Sequence, residues 1–152
     1  MSQTIKYVHT NLIAKDWRKL SLFYINVFGC KPVYPERNLS GEWIDKLTKI
    51  NHVEVKGIHL QLPGYIENAP TLEIFEYNQK ENNPEPMQIN DFGFSHIAFH
   101  VDNVEEMLEK VIDCGGKKFG ELVKTENNIG KLTAIYVTDP EGNIIEIQNW
   151  EK

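Results

Sequence analysis

The chain has 152 residues, 41% of them hydrophobic and 25% charged, which is typical of a globular domain that buries its own apolar core. The formal charge of −6 gives no basic footprint for nucleic acid or an anionic membrane, so we expect a small-molecule partner. The N-terminal segment lacks the apolar centre of a signal peptide, and the two cysteines have no CxxC spacing. A cytoplasmic protein is the simplest interpretation.

The first half of the chain begins with a strand, followed by a helix. Asp16 suits the N-cap of this helix, an apolar stripe follows, and Gly29 ends it. Enrichment in β-branched residues and partial alternation predict strands at 5–13, 52–62 and 71–77.

The stretch 38–50 is longer than a plain strand connection, and it predicts a short amphipathic helix. Two interpretations of this helix stay open. It is either a lid, with Trp43 as the apolar cover of a ligand site, or an ordinary surface helix.

The second half repeats the same order of elements after a polar segment with two prolines, which predicts a linker at 79–92. Asn103 and Glu106 form the pattern of a capping box that opens a helix, and Gly115 and Gly116 end it. The predicted strands of this half are 95–101, 117–124, 132–138 and 143–149, the last two joined by a DPEG turn.

Two landmarks indicate that the halves are duplicated modules. His9 and His96 are 87 residues apart (96 − 9), and the helix-ending Gly29 and Gly115 are 86 apart (115 − 29). We therefore predict an α+β fold of two tandem βαβββ modules, 5–78 and 93–150, which form a curved mixed sheet around a central cavity within one domain.

Alternation along the strands separates the residues that face the helix from those that face away. Among the residues that face away from the helix, four strands each carry one residue of a metal-binding type: His9, Glu73, His96 and Glu146. Each alone is ordinarily a surface or core residue, but that explanation does not account for matching positions in two halves. Two imidazoles and two carboxylates suit one divalent Zn, Ni, Co, Mn or Fe(II) ion with two positions left open.

These motifs resemble the vicinal oxygen chelate superfamily, which includes glyoxalase I, methylmalonyl-CoA epimerase, extradiol dioxygenases and fosfomycin or bleomycin resistance proteins. The segments HTNLIAKDWRKLSLFYINVFG, SHIAFHVDNVEEML and DPEGNIIEIQ carry the resemblance. It implies a glyoxalase-like fold in which His9, Glu73, His96 and Glu146 are the metal ligands, a set similar to that of glyoxalase I. One departure is Ile13, which stands where the bacterial glyoxalase I enzymes have an arginine that contacts glutathione.

The resemblance further implies a lyase or isomerase that removes a proton next to a metal-chelated carbonyl. Glu146 is then the expected ligand and base, with Glu73 as its counterpart. The same alternation directs Ala98 and several further residues towards the cavity. We expect these further residues to contact the substrate. These contacts are His59, Gln61, Phe75, Tyr77, His100 and Gln148, together with Trp43 of the lid.

Three other functions stay open within the same superfamily. They are a methylmalonyl-CoA-type epimerase, a drug-binding resistance protein without turnover, and an Fe(II) dioxygenase. The four ligand-type residues weigh against the binding protein, and a second carboxylate weighs against the dioxygenase because it fills a position that oxygen needs. The resemblance also implies a homodimer.

Overall fold

A computed structural model describes residues 2–81 and 85–152, and it divides into two compact units, Met1–Asn82 and Asn83–Lys152. Across the described residues there are three helices and two mixed sheets, so the predicted α+β class is confirmed. None of the helices in these residues has the length and apolar character that a membrane crossing requires.

The first unit is a four-stranded sheet with two helices. Its elements are β1 (His9–Ile13), α1 (Trp17–Phe28), β2 (Lys31–Ser40), α2 (Glu42–Thr48), β3 (Glu54–Gln61) and β4 (Thr71–Tyr77). The strand order is β1-β4-β3-β2, in which β1 runs parallel to β4 and the other neighbours are antiparallel. The first and last strands of the unit are therefore neighbours.

Helix α1 begins and ends where the sequence predicts. The Asp16 carboxylate accepts a hydrogen bond from the backbone N–H of Lys19 at 3.1 Å, which satisfies a donor of the first turn. Gly29 follows in the left-handed conformation at φ 70°, and its N–H donates to the carbonyl of Ile25. The apolar side of α1 packs on β3 and β4, burying Leu20 and Tyr24.

The second unit has one helix and five strands. Its elements are β5 (His96–His100), α3 (Val104–Asp113), β6 (Lys117–Lys118), β7 (Val123–Asn127), β8 (Gly130–Thr138) and β9 (Ile144–Glu151). The strand order is β5-β9-β8-β6, with β7 also paired to β8, and β5 runs parallel to β9. This parallel pair corresponds to the β1 and β4 pair of the first unit.

Local signals again fix the ends of the elements. The Asn103 side chain accepts a hydrogen bond from the N–H of Glu106 at 3.0 Å and caps α3. In the DPEG turn, Asp139 accepts from the N–H groups of Glu141 and Asn143 at 2.9 and 3.0 Å, and Gly142 has φ 92°. The turn is therefore held by a buried carboxylate as well as by glycine.

The strand predictions differ from the structure in three places. The predicted strand 5–13 is extended only from His9, and the predicted strand 117–124 is two strands, β6 and β7. Strand β2 carries no strand prediction because Pro32 and Pro35 interrupt its pattern. It is an edge strand, where proline is tolerated, and its pairing with β3 shifts register between Val33 and Arg37.

The predicted division into 5–78, a linker 79–92 and 93–150 stays a prediction. Part of that linker, residues 82–84, lies outside the described residues. The short helix predicted within 38–50 corresponds to α2.

Gly57 on β3 is required by close packing. A Cβ atom there would lie 2.0 Å from the carbonyl oxygen of Ile74 and 2.7 Å from Cδ1 of Phe75, distances that atoms cannot adopt. Strand β4 and the Phe75 ring therefore approach β3 only because this position has no side chain.

We predict that Gly57→Ala lowers the free energy of unfolding by about 1–3 kcal/mol, because backbone or ring must move to admit the methyl group. Gly120→Ala is the matched control, since nothing lies within 4 Å of a Cβ at that position. Chemical denaturation of both variants checks this, and equal stabilities would contradict the packing role of Gly57.

Candidate metal centre

Strand pairing in the first unit places side chains in transverse rows on the face away from α1. Residues paired across neighbouring strands share a face, so each row follows from the register. Read from β2 to β1, the rows are Lys31, Gln61, Thr71, His9; then Val33, His59, Glu73, Asn11; then Arg37, Gly57, Phe75, Ile13; and last Leu39, Val55, Tyr77. We call the second the histidine row and the third the arginine row.

Glu73, in the histidine row, is a buried carboxylate between two imidazoles. Only 7% of the residue is exposed. Its Oε1 lies 2.8 Å from Nε2 of His9, and its Oε2 lies 2.7 Å from Nε2 of His59. The side-chain amide of Asn11 donates to Oε1 at 3.3 Å. A carboxylate removed from water needs such hydrogen-bonding partners, and these three side chains supply them.

His59 is fixed by contacts on both ring nitrogens. Nδ1 lies 3.3 Å from Oγ1 of Thr71, and the ring meets those of His9 and Phe75 edge-on at 5.9 and 5.7 Å between centroids. Burial is the main effect on this imidazole and lowers its pKa; Glu73 opposes that shift, while the charges of Arg37 and His9 add to it. The neutral form, which is the form that binds metals, is therefore favoured.

These three side chains fit a divalent metal ion. One ligand atom from each of His9, His59 and Glu73 lies within 4.8 Å of the other two. Two imidazole nitrogens and a carboxylate oxygen are ligands for Zn, Mn or Fe(II). His59, which the sequence suggests only as a substrate contact, thus lies among the groups able to bind metal. The signal that identifies it is the pairing of His59 with Glu73 across β3 and β4.

In the second unit, His96 and Glu146 form the corresponding pair. Nε2 of His96 lies 3.4 Å from Oε2 of Glu146, and the His96 ring meets Tyr136 edge-on at 5.0 Å. Tyr136 is directly opposite Glu146 in the pairing of β8 with β9. The contact is longer than those of Glu73, and the Glu146 side chain is 21% exposed against 9% for Glu73.

The contacts of Ser95 favour one tautomer of His96. The Ser95 hydroxyl donates to the carbonyl of Ile89 at 2.9 Å, so the same oxygen is left to accept from Nδ1 of His96 at 3.0 Å. With Nδ1 protonated, Nε2 presents its lone pair towards Glu146. Two acceptors that face each other in this way favour a cation between them.

The remaining predicted contact residues divide between the two units. Gln61, Phe75 and Tyr77 lie on the same face as Glu73 in the first unit. His100 and Gln148 are paired neighbours on β5 and β9 in the second, two residues from His96 and Glu146 respectively. Convergence of His9, Glu73, His96 and Glu146 on one ion stays a prediction, as do these substrate contacts.

Helix α2 covers one end of the rows through Ile44 rather than Trp43. Ile44 is 5% exposed and packs with Val55 and Phe75, whereas Trp43 is 55% exposed and donates through Nε1 to the carbonyl of Ser40. The Asp45 carboxylate accepts the N–H groups of residues 52 and 53 at 2.9 and 3.0 Å, which ties the helix down. Contact of Trp43 with a substrate stays a prediction.

Comparison with known proteins gives a consistent result. Residues 6–147 match the model of the Glyoxalase/Bleomycin resistance protein/Dioxygenase superfamily. No curated protein matches the chain at a significant level.

Solved structures share the fold. A glyoxalase family protein from Bacillus cereus has a TM-score of 0.85 at 16% identity, over 99% of this chain and 97% of that one. The fosfomycin resistance protein FosX from Listeria monocytogenes has a TM-score of 0.57 at 18% identity, over 99% and 94%. A FosX structure with Mn(II) and sulfate has a TM-score of 0.56 at 17% identity, over 99% and 95%.

The packing of α2 yields a paired prediction. Ile44→Ala removes a buried side chain and should lower the free energy of unfolding by about 2–4 kcal/mol. Trp43→Ala, at a largely exposed position, should cost less than about 1 kcal/mol. Guanidinium denaturation distinguishes the two, and a larger loss for Trp43→Ala would show that the tryptophan, not Ile44, anchors the helix.

Proposed function

Because the chain belongs to the Glyoxalase/Bleomycin resistance protein/Dioxygenase superfamily, we propose that it is a metal-dependent, glyoxalase I-like lyase or isomerase. It acts on a small compound by removing a proton next to a carbonyl group. The observation that carries this proposal is the buried Glu73 carboxylate held between His9 and His59. Such a site suits a Lewis acid, which assists proton removal next to a carbonyl by stabilising the negative charge that develops on the oxygen.

We propose that His9, Glu73, His96 and Glu146 hold one divalent ion, which is Zn, Ni, Co, Mn or Fe(II). When bound, such an ion stabilises negative charge on the substrate oxygen and leaves positions open for it. His59 donates to Oε2 of Glu73 and leaves Oε1, on the side of His9, available as a ligand. His59 is then a residue that positions the carboxylate.

The two carboxylates differ in how firmly they are held, and this difference supports Glu146 as the base. Glu73 is held by three side chains, and a group so restrained is suited to stay in place. Glu146 has, among the residues that the structure describes, one contact of this kind, with His96 at 3.4 Å, and it is more exposed than Glu73. We therefore propose Glu146 as the carboxylate that accepts the substrate proton. The pairing of Gln148 with His100 two residues away supports them as substrate contacts.

The proposal is tested by proton exchange in deuterated solvent. Mn(II)-loaded protein is mixed with a thiohemiacetal of methylglyoxal, or with hydroxyacetone, and loss of the α-proton signal is followed by NMR. We expect exchange that EDTA abolishes and that Glu146→Gln lowers by about 10²–10⁴-fold, the typical contribution of a positioned base. Exchange that continues at the same rate after metal removal would overturn the proposed mechanism.

A second prediction concerns Ser95. Ser95→Ala removes the acceptor of the His96 Nδ1 proton, so the ring loses both its orientation and its tautomer preference. The affinity for Mn(II), measured by titration calorimetry, should fall about tenfold or more. Ser40→Ala, at an exposed serine on β2, is the control and should bind Mn(II) as the wild type does. Unchanged affinity in Ser95→Ala would contradict a ligand role for His96.

We also propose that the protein acts as a homodimer in the cytoplasm, with no nucleic acid or membrane partner. Its formal charge of −6 supports the expectation of no nucleic acid or membrane partner, because an acidic protein surface repels nucleic acid and anionic lipid. Light scattering of the purified protein measures the oligomeric state directly.

A further inference from the structure

Arg37 lies in the row next to the candidate metal ligands. Its partner across β2 and β3 is Gly57, which is two residues before His59, so Arg37 and His59 share a face of the sheet. Arg37 is half-buried there, between the histidine row and the apolar end that α2 covers.

The guanidinium of Arg37 forms no ion pair with any carboxylate of residues 2–81 and 85–152. One of its nitrogens, Nη1, donates to the carbonyl of Pro35. Arg18 gives the contrast, because both of its terminal nitrogens donate to Glu36, at 2.8 and 2.9 Å. Since a guanidinium has five N–H donors, Arg37 retains donors for an external acceptor.

The surroundings of Arg37 favour an anion over a neutral group. The other members of its row, Gly57, Phe75 and Ile13, carry no charge. An anionic group placed over this row would therefore find Arg37 as its single cationic partner in the row.

We propose that Arg37 binds a carboxylate of the substrate, at the end opposite to the oxygens that the metal site holds. This inference rests on the proposed function, and it names the substrate class as small carbonyl or hydroxy acids with a second anionic group. Two strand spacings and one row separate Arg37 from Glu73, about 12 Å between Cα atoms. The side chains of Arg37 and Glu73, together with a short carbon chain of the substrate, fill that distance.

The test compares two ligands that differ only at the far end, 2-hydroxyglutarate and 2-hydroxypentanoate. Titration calorimetry with Mn(II)-loaded, full-length protein should give about tenfold tighter binding of 2-hydroxyglutarate, the usual value of a charged hydrogen bond. Arg37→Gln should remove this preference and leave binding of 2-hydroxypentanoate unchanged. Arg37→Lys should restore part of it, because the charge returns without the two-pronged geometry.

Arg18→Gln is the matched control, since it removes an arginine of the same unit that is already paired with Glu36. It should keep the wild-type preference. The inference is overturned if wild type does not prefer 2-hydroxyglutarate, or if Arg37→Gln keeps the preference. Circular dichroism and thermal unfolding of each variant show whether it is folded.

Failure of the proposed function is recognised separately, because Mn(II) binding is titrated first without ligand. If Mn(II) does not bind, the metal-dependent function is wrong, and glutarate is then compared with pentanoate on the metal-free protein. Tighter binding of glutarate that is lost in Arg37→Gln still supports the anion site. Equal binding of the two compounds overturns it.

Discussion

The site depends on one constraint, the negative charge of Glu73 placed where water has little access. Burying a carboxylate is costly unless charged or hydrogen-bonding groups replace its hydration. Here the strands supply His9, His59 and Asn11 around it, each from a different position of the sheet. The contacts of Glu73 therefore depend on the register of β1, β4 and β3, because a shift by one residue would turn these side chains to the opposite face.

Both units begin with a strand and a helix and pair their first strand in parallel with their last, but their carboxylates differ in surroundings. In the first, the carboxylate is buried, has three partners and lies among rows that α2 partly covers. In the second, Glu146 is more exposed and lies 3.4 Å from Nε2 of His96, whose Nδ1 contacts the Ser95 hydroxyl. The first unit therefore restrains its carboxylate with three side chains, whereas the second leaves its carboxylate freer.

Sequence patterns predict the elements whose signals are local. The caps at Asp16 and Asn103 give the starts of α1 and α3, and alternation gives β4 and the faces of His9 and Glu73. The sequence does not predict strand β2, because its two prolines interrupt the strand pattern. Arg37, which lies on this strand, is therefore not recognised as a site residue. The role of His59 depends on how β3 and β4 align across residues 62–70, which alternation within one strand does not determine.

We expect Glu73 to mark the place of a divalent cation, and anomalous X-ray diffraction from crystals of the Mn(II)-loaded protein tests this. One anomalous peak should lie within bonding distance of a Glu73 carboxylate oxygen and of Nε2 of His9. A peak that avoids Glu73, or crystals at saturating Mn(II) with no peak there, would contradict it.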